Sequence, residues 1–541
     1  MAAMIRKYVC LASFMALSGT VAFAAEDLES LLDGDSKAQS GQAPAVKTAR
    51  EQSFLVDTVR SLQDSRPTSE QNIFFRHLEA AHWEKALIQS QAAFGGTGFE
   101  RSANGQALQA LLKFKSGLTT TGLEEMFAIR EPKKIHFHLL SLFKEAATEN
   151  HPAWKIALLT WNEAWTEVFG LNYEVKAKTR QVTQKQGLEE LKNLAKRAPT
   201  DSPERALVEW NLALAYSLGD QPDQAAKIMA ALLKTKNSPV STDLLNLTAA
   251  RLLFQNGYFD AARRYYGKIP KGSDYWLDAQ EESAWSFIRK GEPQNALAIT
   301  QTLVNPIFKG QVGAESYFVR ALAQLKVCDY PGVVKSLQVF PVQFKNRTEV
   351  LKKLAQEPET PAVTKVINEV RTRNVKWEEL GKEAQGLPRQ ITRDQRLREL
   401  SKAQADLERE AKVAEELYAQ FLAQTGLQST FENLKQTLLG RARMAKSATL
   451  SRVQEMAKNE VEDTRKILAK MHIVEAEVIQ QTSLADQLVK AKVTGPGDVK
   501  VGSTGSTQKD TLRFPADGNE VWFDELANYQ VNVKKACQVK R

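Results

Sequence analysis

The stretch NGYFDAARRYYGKIP, residues 256 to 270, has the composition of a tight turn between two helices. Gly257 can turn the chain, because glycine adopts backbone angles that strain other residues. Ala262 is small enough to let two helices approach closely, and Tyr266 lies one helical turn further on the same face. Pro270 ends the second helix, since proline lacks the amide proton that a helix interior needs. The stretch therefore predicts a helix–turn–helix hairpin.

This pattern recurs along the chain. Small residues that match Ala262 follow one another at intervals of 37, 34 and 37 residues, and they are Ala225, Ala262, Ala296 and Val333. The turn residue five positions earlier is Gly257, Gly291 and, before Val333, Cys328. A second small residue precedes each of the four by twelve positions, namely Ala213, Ala250, Ala284 and Ala321. The recurrence predicts consecutive hairpins in which both helices carry a small contact residue.

The period and the hairpin together resemble the tetratricopeptide repeat, in which a glycine lies five residues before an alanine. Toward the N-terminus, Ala81 precedes Ala86 and Gly117 precedes Gly122 at the same spacing. The resemblance implies an all-α fold, with a TPR-like α-solenoid of five to eight helical hairpins over residues 70–345.

Residues 360–490 are predicted to form long helices, because Pro and Gly are few and Ala, Leu, Glu, Lys and Gln are abundant. Two runs place small or apolar residues seven apart, the first with Leu400, Leu407, Ala414 and Phe421, the second with Leu450, Ala457, Thr464, Met471 and Val478. Such spacing favours helices wound about each other. With a bend near Gly426, the runs predict a long antiparallel, coiled-coil-like helical hairpin. A parallel coiled coil between two chains, and hence an oligomer, is the alternative.

The N-terminus predicts export. Arg6 and Lys7 precede a short apolar stretch that ends in Ala22-Phe23-Ala24, the pattern of a secretory signal peptide over residues 1–24. The stretch is shorter than the roughly 20 residues that span a bilayer, and no later segment is apolar enough to do so. We therefore expect an exported protein, periplasmic in a two-membrane bacterium. Residues 25–69 are small, polar and punctuated by Pro and Gly, which predicts a disordered linker.

The C-terminal part changes character again. Residues 491–511 are rich in glycine and predict a flexible linker. Residues 512–541 then concentrate four large aromatic residues, Phe514, Trp522, Phe523 and Tyr529. Because burial of large aromatic side chains lowers the free energy of the chain, we expect this tail to dock on the chain's own helices. A motif that binds a partner protein is the alternative.

Two cysteines, Cys328 and Cys537, remain after cleavage of the signal peptide, which contains Cys10. An even number in an oxidising compartment allows a disulfide, which would fix the tail to the repeats. The alternative is that Cys328 merely replaces glycine at a crowded turn.

Charge and motifs do not favour catalysis or nucleic-acid binding. The net charge of +9 is mild for 541 residues, and no dense run of Lys and Arg occurs. Neither a phosphate loop nor a nucleophile elbow is present. His136 and His138 would point to opposite sides of a helix and make a poor metal site. We therefore expect no catalytic residue, no cofactor, no metal and no nucleic acid.

The layout of an exported repeat array, long helices and the terminal GNEVWFDELANYQVNVKKAC (residues 518–537) resembles periplasmic tetratricopeptide proteins of predatory and gliding deltaproteobacteria. Some of those proteins belong to envelope-spanning gliding-motility machinery. The resemblance implies a non-catalytic scaffold that binds protein partners, among them envelope components. A cell-wall (peptidoglycan) enzyme or its obligate subunit is the alternative, although helical enzymes of that class carry a separate catalytic domain after the superhelix.

Overall fold

The computed structural model describes residues 44–63, 66–148, 161–181, 187–219, 221–235, 238–420, 428–490, 499–503 and 526–533. These residues are predominantly helical, and consecutive helices pack in pairs, so the expected all-α solenoid of helical hairpins is confirmed. The predicted signal peptide, residues 1–24, lies outside the described residues.

The helices from the N-terminus to the last repeat are α1 Pro44–Ser61, α2 Ser69–Glu79, α3 Trp83–Phe94, α4 Gly98–Arg101, α5 Ala103–Lys115, α6 Thr119–Ala128, α7 Phe137–Thr148, α8 Thr166–Phe169, α9 Leu171–Gln181, α10 Leu188–Arg197, α11 Pro203–Leu218, α12 Pro222–Leu232, α13 Thr242–Gln255, α14 Phe259–Tyr266, α15 Trp276–Lys290, α16 Pro293–Leu303, α17 Ala314–Lys326 and α18 Tyr330–Gln356. Helices α2 to α18 are called the array below. They are followed by α19 Pro361–Thr372, α20 Gln395–Gln420 and α21 Gln428–Lys490, and by strands β1 Val499–Ser503 and β2 Tyr529–Val533.

The repeat positions have a common geometry. Ala225, Ala262, Ala296 and Val333 are each fully buried between the helices of their hairpins. At the turn, Gly257 and Gly291 have φ of +80° and +87°. Cys328 adopts φ +57° at the equivalent position, although this left-handed region is costly for a residue with a Cβ. The turn thus imposes its backbone conformation on whichever residue stands there.

Gly122 illustrates why these contact positions need small side chains. A Cβ atom built on Gly122 would lie 2.6 Å from the carbonyl oxygen of Ala110, on the preceding helix of the same hairpin. That distance is far below normal contact, so the two backbones pack too closely for any side chain at this place.

Overpacking the repeats is expected to be costly. Ala262→Leu and Ala296→Leu should each lower the free energy of unfolding by about 1–3 kcal/mol, because the added atoms meet a closely packed neighbouring helix. Thermal unfolding measures the effect. Ala231→Leu, on the exposed side of α12, is the matched control and should melt as the wild type does. Identical melting of all three variants would contradict the repeat positions assigned above.

Helices α20 and α21 form the expected helical hairpin, called the C-terminal hairpin below. Glu415 pairs with Lys435 at 2.8 Å and Asp394 with Arg452 at 2.6 Å. Residues earlier along the first helix therefore contact residues later along the second. The two helices are therefore antiparallel. The bend expected near Gly426 lies outside the described residues.

The two helices of this hairpin differ in length, which the sequence pattern did not indicate. Helix α20 has 26 residues and α21 has 63, which at 1.5 Å per residue is about 95 Å. The excess length of α21 packs along α17 and α18. Its buried row of Ile467, Met471, Val474 and Val478 belongs to the same core as Phe318 and Phe340 of the array. This apolar row is thus buried by contacts within a single chain.

The predicted disordered linker over residues 25–69 is wrong for residues 44–61, which form α1. Leu55, Val56 and Val59 are buried in the core shared with α2 and α7. The spacing of these three residues places them on one helical face, and burial of that face stabilises a helix whose mean composition is polar. Residues 25–43 lie outside the described part of the chain.

The flexible linker predicted over 491–511 is also corrected in part. Residues 499–503 form β1, which pairs antiparallel with β2 from the tail, Val499 opposite Val533 and Val501 opposite Val531. The pair lies against α16, so the array covers one face of it. Two short β-branched runs far apart in sequence thereby satisfy each other's backbone groups.

Candidate functional site

Charged side chains from five helices and from the stretch before α20 meet near the contact between the array and α21. Helix α17, which packs on α21, carries Glu315, and helix α15 carries three carboxylates that meet α13, α17 and the stretch before α20. Asp278 and Glu315 hold equivalent places, each eighteen residues before a repeat contact residue. The stretch between residue 387 and α20 supplies two arginines. We call this group of side chains the charged junction, and its members are Arg251, Asp278, Glu281, Glu282, Glu315, Arg347, Arg389, Arg393, Glu460, Asp463 and Lys470.

One pair of the charged junction lies within the array. Arg251 of α13 donates to both oxygens of Glu282 of α15, at 2.6 to 3.0 Å. The Tyr266 hydroxyl donates to the same carboxylate at 2.9 Å. Burial and the negative charge of Glu282 raise the pKa of Tyr266 well above its ordinary value, so the phenol remains a donor. Three helices are thereby joined through one carboxylate.

A second pair joins the array to the chain that precedes α20. The guanidinium of Arg393 lies 3.1 Å from Asp278 and donates to the backbone oxygen of Asp274 at 2.7 Å. Burial opposes ionisation of Asp278 and is the largest single influence, but the positive charges of Arg393, Arg251 and Arg389 together outweigh it and hold the pKa of this carboxyl below its ordinary value. Asp278 keeps 32 % of its side-chain surface exposed, so water reaches the pair.

Glu460 of α21 holds the third connection. Its carboxylate accepts from Arg347 of α18 at 2.6 Å and from the backbone amide of Arg389 at 2.9 Å. The Arg389 guanidinium lies against Gly313, in the space that a side chain at residue 313 would occupy. Burial disfavours the charge of Arg389, but the surrounding carboxylates, Glu460 first among them, raise its pKa overall.

Two acidic side chains lie at the centre without a direct cationic partner among the described residues. Glu281 accepts a hydrogen bond from the Ser316 hydroxyl, and Glu315 accepts one from the Trp285 indole at 2.9 Å. Burial, and then the negative charge of Glu315, raise the pKa of Glu281 from its ordinary 4.5 to about 8. Burial likewise raises the pKa of Glu315. The raised pKa values favour a proton on the Glu281–Glu315 pair, so this site can hold and release a proton.

The described part of the tail packs on the array. Leu526 is buried beside Tyr266 and Trp276, and Val531 is buried in the core that contains Ala296. The Ala527 amide donates to the Thr302 hydroxyl at 2.8 Å. Tyr529 begins β2 and is half-buried, whereas Phe514, Trp522 and Phe523 lie outside the described residues. Burial of those three aromatic side chains stays a prediction.

Cys328 is disulfide-bonded. The chain's other cysteines, Cys10 and Cys537, lie outside the described residues, so the predicted pairing of Cys328 with Cys537 stays a prediction. The Tyr330 hydroxyl lies 3.5 Å from the Cys328 sulfur. Residue Cys537 follows the last residue of β2 by four positions, and β2 lies on α16 next to this turn's hairpin.

Sequence patterns did not indicate the charged junction. Its carboxylates on α15, Asp278, Glu281 and Glu282, share one helical face, and this triplet followed by Glu315 is the signal that could have identified it. The arginines that meet them come from far along the chain. Unless it is known that the chain brings these arginines back to α15, an acidic helix face indicates only contact with solvent.

Among the described residues, no group of three or more His, Cys, Asp or Glu side chains is arranged to hold a metal ion. The rings of His136 and His138 lie 5.3 Å apart on the surface near the start of α7. No helix in the described ranges is long and apolar enough to cross a membrane.

Neither a search of protein-family models nor one of curated proteins finds a match to this chain.

Proposed function

We propose that this chain is an exported, non-catalytic scaffold that binds protein partners on a TPR-like array whose two ends are held by the C-terminal hairpin. The observation that carries this proposal is the pair of contacts that the hairpin makes. Its loop end packs against the N-terminal repeats, and the second half of α21 packs on the last repeat. An array held at both ends keeps a fixed curvature, and a preorganised surface loses less entropy on binding.

Hydrogen bonds at the loop end support this role. The carboxylate of Glu410 on α20 accepts from the backbone amides of Thr120 and Thr121 at the start of α6. Arg441 of α21 donates two hydrogen bonds to the carboxylate of Glu124, which lies on α6, at 2.7 and 2.9 Å. A carboxylate at a helix N-terminus satisfies free backbone amides and interacts favourably with the helix dipole. The contact is therefore specific as well as apolar.

The surfaces offered to partners carry exposed apolar side chains. Tyr258 and Ile307 are 65 % and 60 % exposed at turns of successive repeats, and Ile473 is 66 % exposed on the outer face of α21. Contiguous apolar patches mark protein contacts, whereas single exposed apolar side chains are common on any surface, so these residues serve as probes of the two surfaces. We propose envelope proteins as the partners and a periplasmic location, in line with the predicted signal peptide and with the resemblance to gliding-motility proteins.

A retention experiment tests the scaffold. The chain without residues 1–24, immobilised and exposed to envelope extract, is expected to retain a discrete protein. Tyr258→Ser and Ile473→Ser should separate the two surfaces, because each removes an exposed apolar side chain without touching the core. If both variants retain the protein as fully as the wild type, neither surface is the binding site. Retention of no specific protein by the wild type would contradict the proposal.

The alternative of a cell-wall enzyme is favoured by one observation. Glu281 holds a proton near a second carboxyl group, Glu315, and glycoside hydrolases combine a protonated and an ionised carboxyl. A peptidoglycan gel containing the renatured chain distinguishes the two functions. If the chain is a scaffold, we expect no clearing band in the gel. A clearing band that Glu281→Gln abolishes would establish the enzyme and reject the non-catalytic proposal.

Export is expected to yield a mature chain that begins at Ala25, since Ala22-Phe23-Ala24 matches the small residues that a signal peptidase requires. N-terminal sequencing of the soluble protein from the native host measures this. Ala24→Arg, which places a large charged residue at the cleavage position, should accumulate the uncleaved form. Recovery of soluble wild-type protein that still begins at Met1 would show that the segment is not a signal peptide.

A further inference from the structure

The charged junction lies at the contact between the array and α21. On one side of it, Phe318 and Phe340 of the array share a core with Ile467 and Met471. On its other side, Val453 and Ala457 of α21 pack with helix α19 and the segment that precedes α20. Any change of charge in the junction therefore acts directly on the contact that fixes α21 to the last repeats.

The junction contains one more acidic group than basic groups. The acidic members are Asp278, Glu281, Glu282, Glu315, Glu460 and Asp463, and the basic members are Arg251, Arg347, Arg389, Arg393 and Lys470. Three pairs are in direct contact, Arg251 with Glu282, Arg393 with Asp278, and Arg347 with Glu460. Two cations, Arg389 and Lys470, are then left for the remaining carboxyl groups, which are Glu281, Glu315 and Asp463.

We propose that the charged junction is a proton-controlled latch, which holds α21 on the array while Glu281 carries a proton and loosens when that proton is lost. With the proton in place, five negative charges face five positive charges. Loss of the proton adds an uncompensated negative charge beside Glu315, in partly buried surroundings that solvate it less well than bulk water does. The cheapest relief is separation of α21 from α17, which admits more water to the carboxylates.

The surroundings of Glu281 support this direction of control. Its own helix contributes Asp278 and Glu282, α17 contributes Glu315, and the segment before α20 contributes Arg389. The positive charge of Arg389 favours the ionised form, yet burial and Glu315 outweigh it. On α21, Asp463 has a pKa raised by partial desolvation, but its side chain is largely exposed to water, so the partly buried Glu281 rather than Asp463 is the controlling proton site.

The sign of the pH dependence follows from the raised pKa. Glu281 has a pKa of about 8 in the closed arrangement and an ordinary value of 4.5 in water. Closure is therefore favoured fully below about pH 4.5, weakens as pH rises, and has lost this contribution above about pH 8. Between those limits the equilibrium constant for opening rises by up to about tenfold per pH unit. Asp278 and Glu282 keep part of their surface exposed, so protons can exchange without global unfolding.

The latch does not depend on the scaffold proposal, since it concerns a contact within the chain. Amide hydrogen exchange measured between pH 5.5 and pH 8.5 tests it, with rates divided by the known intrinsic rate at each pH. Peptides from 460–478 of α21 and 314–326 of α17 are expected to open at least tenfold more at pH 8.5 than at pH 6.5. Peptides from α2 and α3 should not change, because they lie far from the junction in the N-terminal core.

Variants decide whether Glu281 is responsible. Glu281→Gln keeps the size and a neutral side chain, so it is expected to remove the pH dependence and stay closed at pH 8.5. Glu315→Gln removes the neighbouring negative charge and should reduce the slope. Glu349→Gln, in an exposed pair with Lys352 on α18, is the control and should match the wild type. Flat exchange in the wild type, or equal slopes in the wild type and in Glu315→Gln and Glu281→Gln, would overturn the latch.

Discussion

Glu410→Ala is expected to detach the loop end of the C-terminal hairpin from the N-terminal repeats and to lower the free energy of unfolding by about 2–4 kcal/mol. The Glu410 carboxylate is almost fully buried and accepts four hydrogen bonds, two from backbone amides and two from the hydroxyls of Thr119 and Thr121, at 2.5 to 3.2 Å. Alanine would leave these donors of α6 buried and unpaired, and would leave a space beside them. Urea unfolding, followed by circular dichroism, measures the loss.

Two further variants sharpen this prediction. Glu410→Gln preserves the shape but replaces one acceptor oxygen with an amide donor, which would face the α6 donors in either orientation, so it should also destabilise the chain. Glu408→Ala, two residues earlier on the exposed side of α20, is the matched control and should leave the midpoint unchanged. If Glu410→Ala unfolds at the same urea concentration as the control, the hairpin is not anchored through this carboxylate.

Asp394→Ala is expected to have the largest effect, about 3–5 kcal/mol, because it removes the buried partner of Arg452 and leaves the guanidinium with only the exposed carboxylate of Glu455. Asp394 and Arg452 have side chains only 3 % and 8 % exposed, and the guanidinium contacts both carboxylate oxygens at 2.6 to 3.2 Å. The same carboxylate accepts from the Leu397 amide at 2.7 Å and so caps the start of α20. One substitution thereby removes both an ion pair and a helix cap.

A double-mutant comparison isolates the pair. Asp394→Ala combined with Arg452→Ala should cost less than the sum of the single variants, since the double variant leaves no charge buried. Glu462→Ala breaks an exposed pair with Arg465 on the same helix and should not move the unfolding midpoint. Strict additivity of the two buried substitutions would mean that the pair does not act as a unit.

The repeat register could be predicted from sequence because its causes are local. Two helices of a hairpin pack closely only where small residues lie at the contact. Ala262 and Ala296 therefore each predict a hairpin from a stretch of about fifteen residues. The same turn forms at Cys328, where a residue with a Cβ adopts the backbone angle that glycine adopts elsewhere. The all-α solenoid and the antiparallel course of α20 and α21 follow from such short-range patterns.

Other features depended on which parts of the chain meet. An apolar row such as Ile467 to Val478 has the same spacing whether it packs on a second long helix or on the array, so spacing alone cannot name its partner. Helix α1 was missed because a short apolar face within polar surroundings becomes stable only when the neighbouring helices cover it.

The helical hairpins could be predicted from the sequence, since helix geometry and side-chain size act between residues close in the chain. The anchoring of the C-terminal hairpin, the position of β2 on α16 and the charged junction depend on contacts between residues far apart in the chain, which the folded structure reveals. Arg389, Glu281 and Asp463 are more than seventy residues apart from one another, and each has an ordinary neighbourhood in the sequence. The free energy of a charge depends on the distance to other charges and on the exclusion of water, and both quantities exist only once the chain has folded.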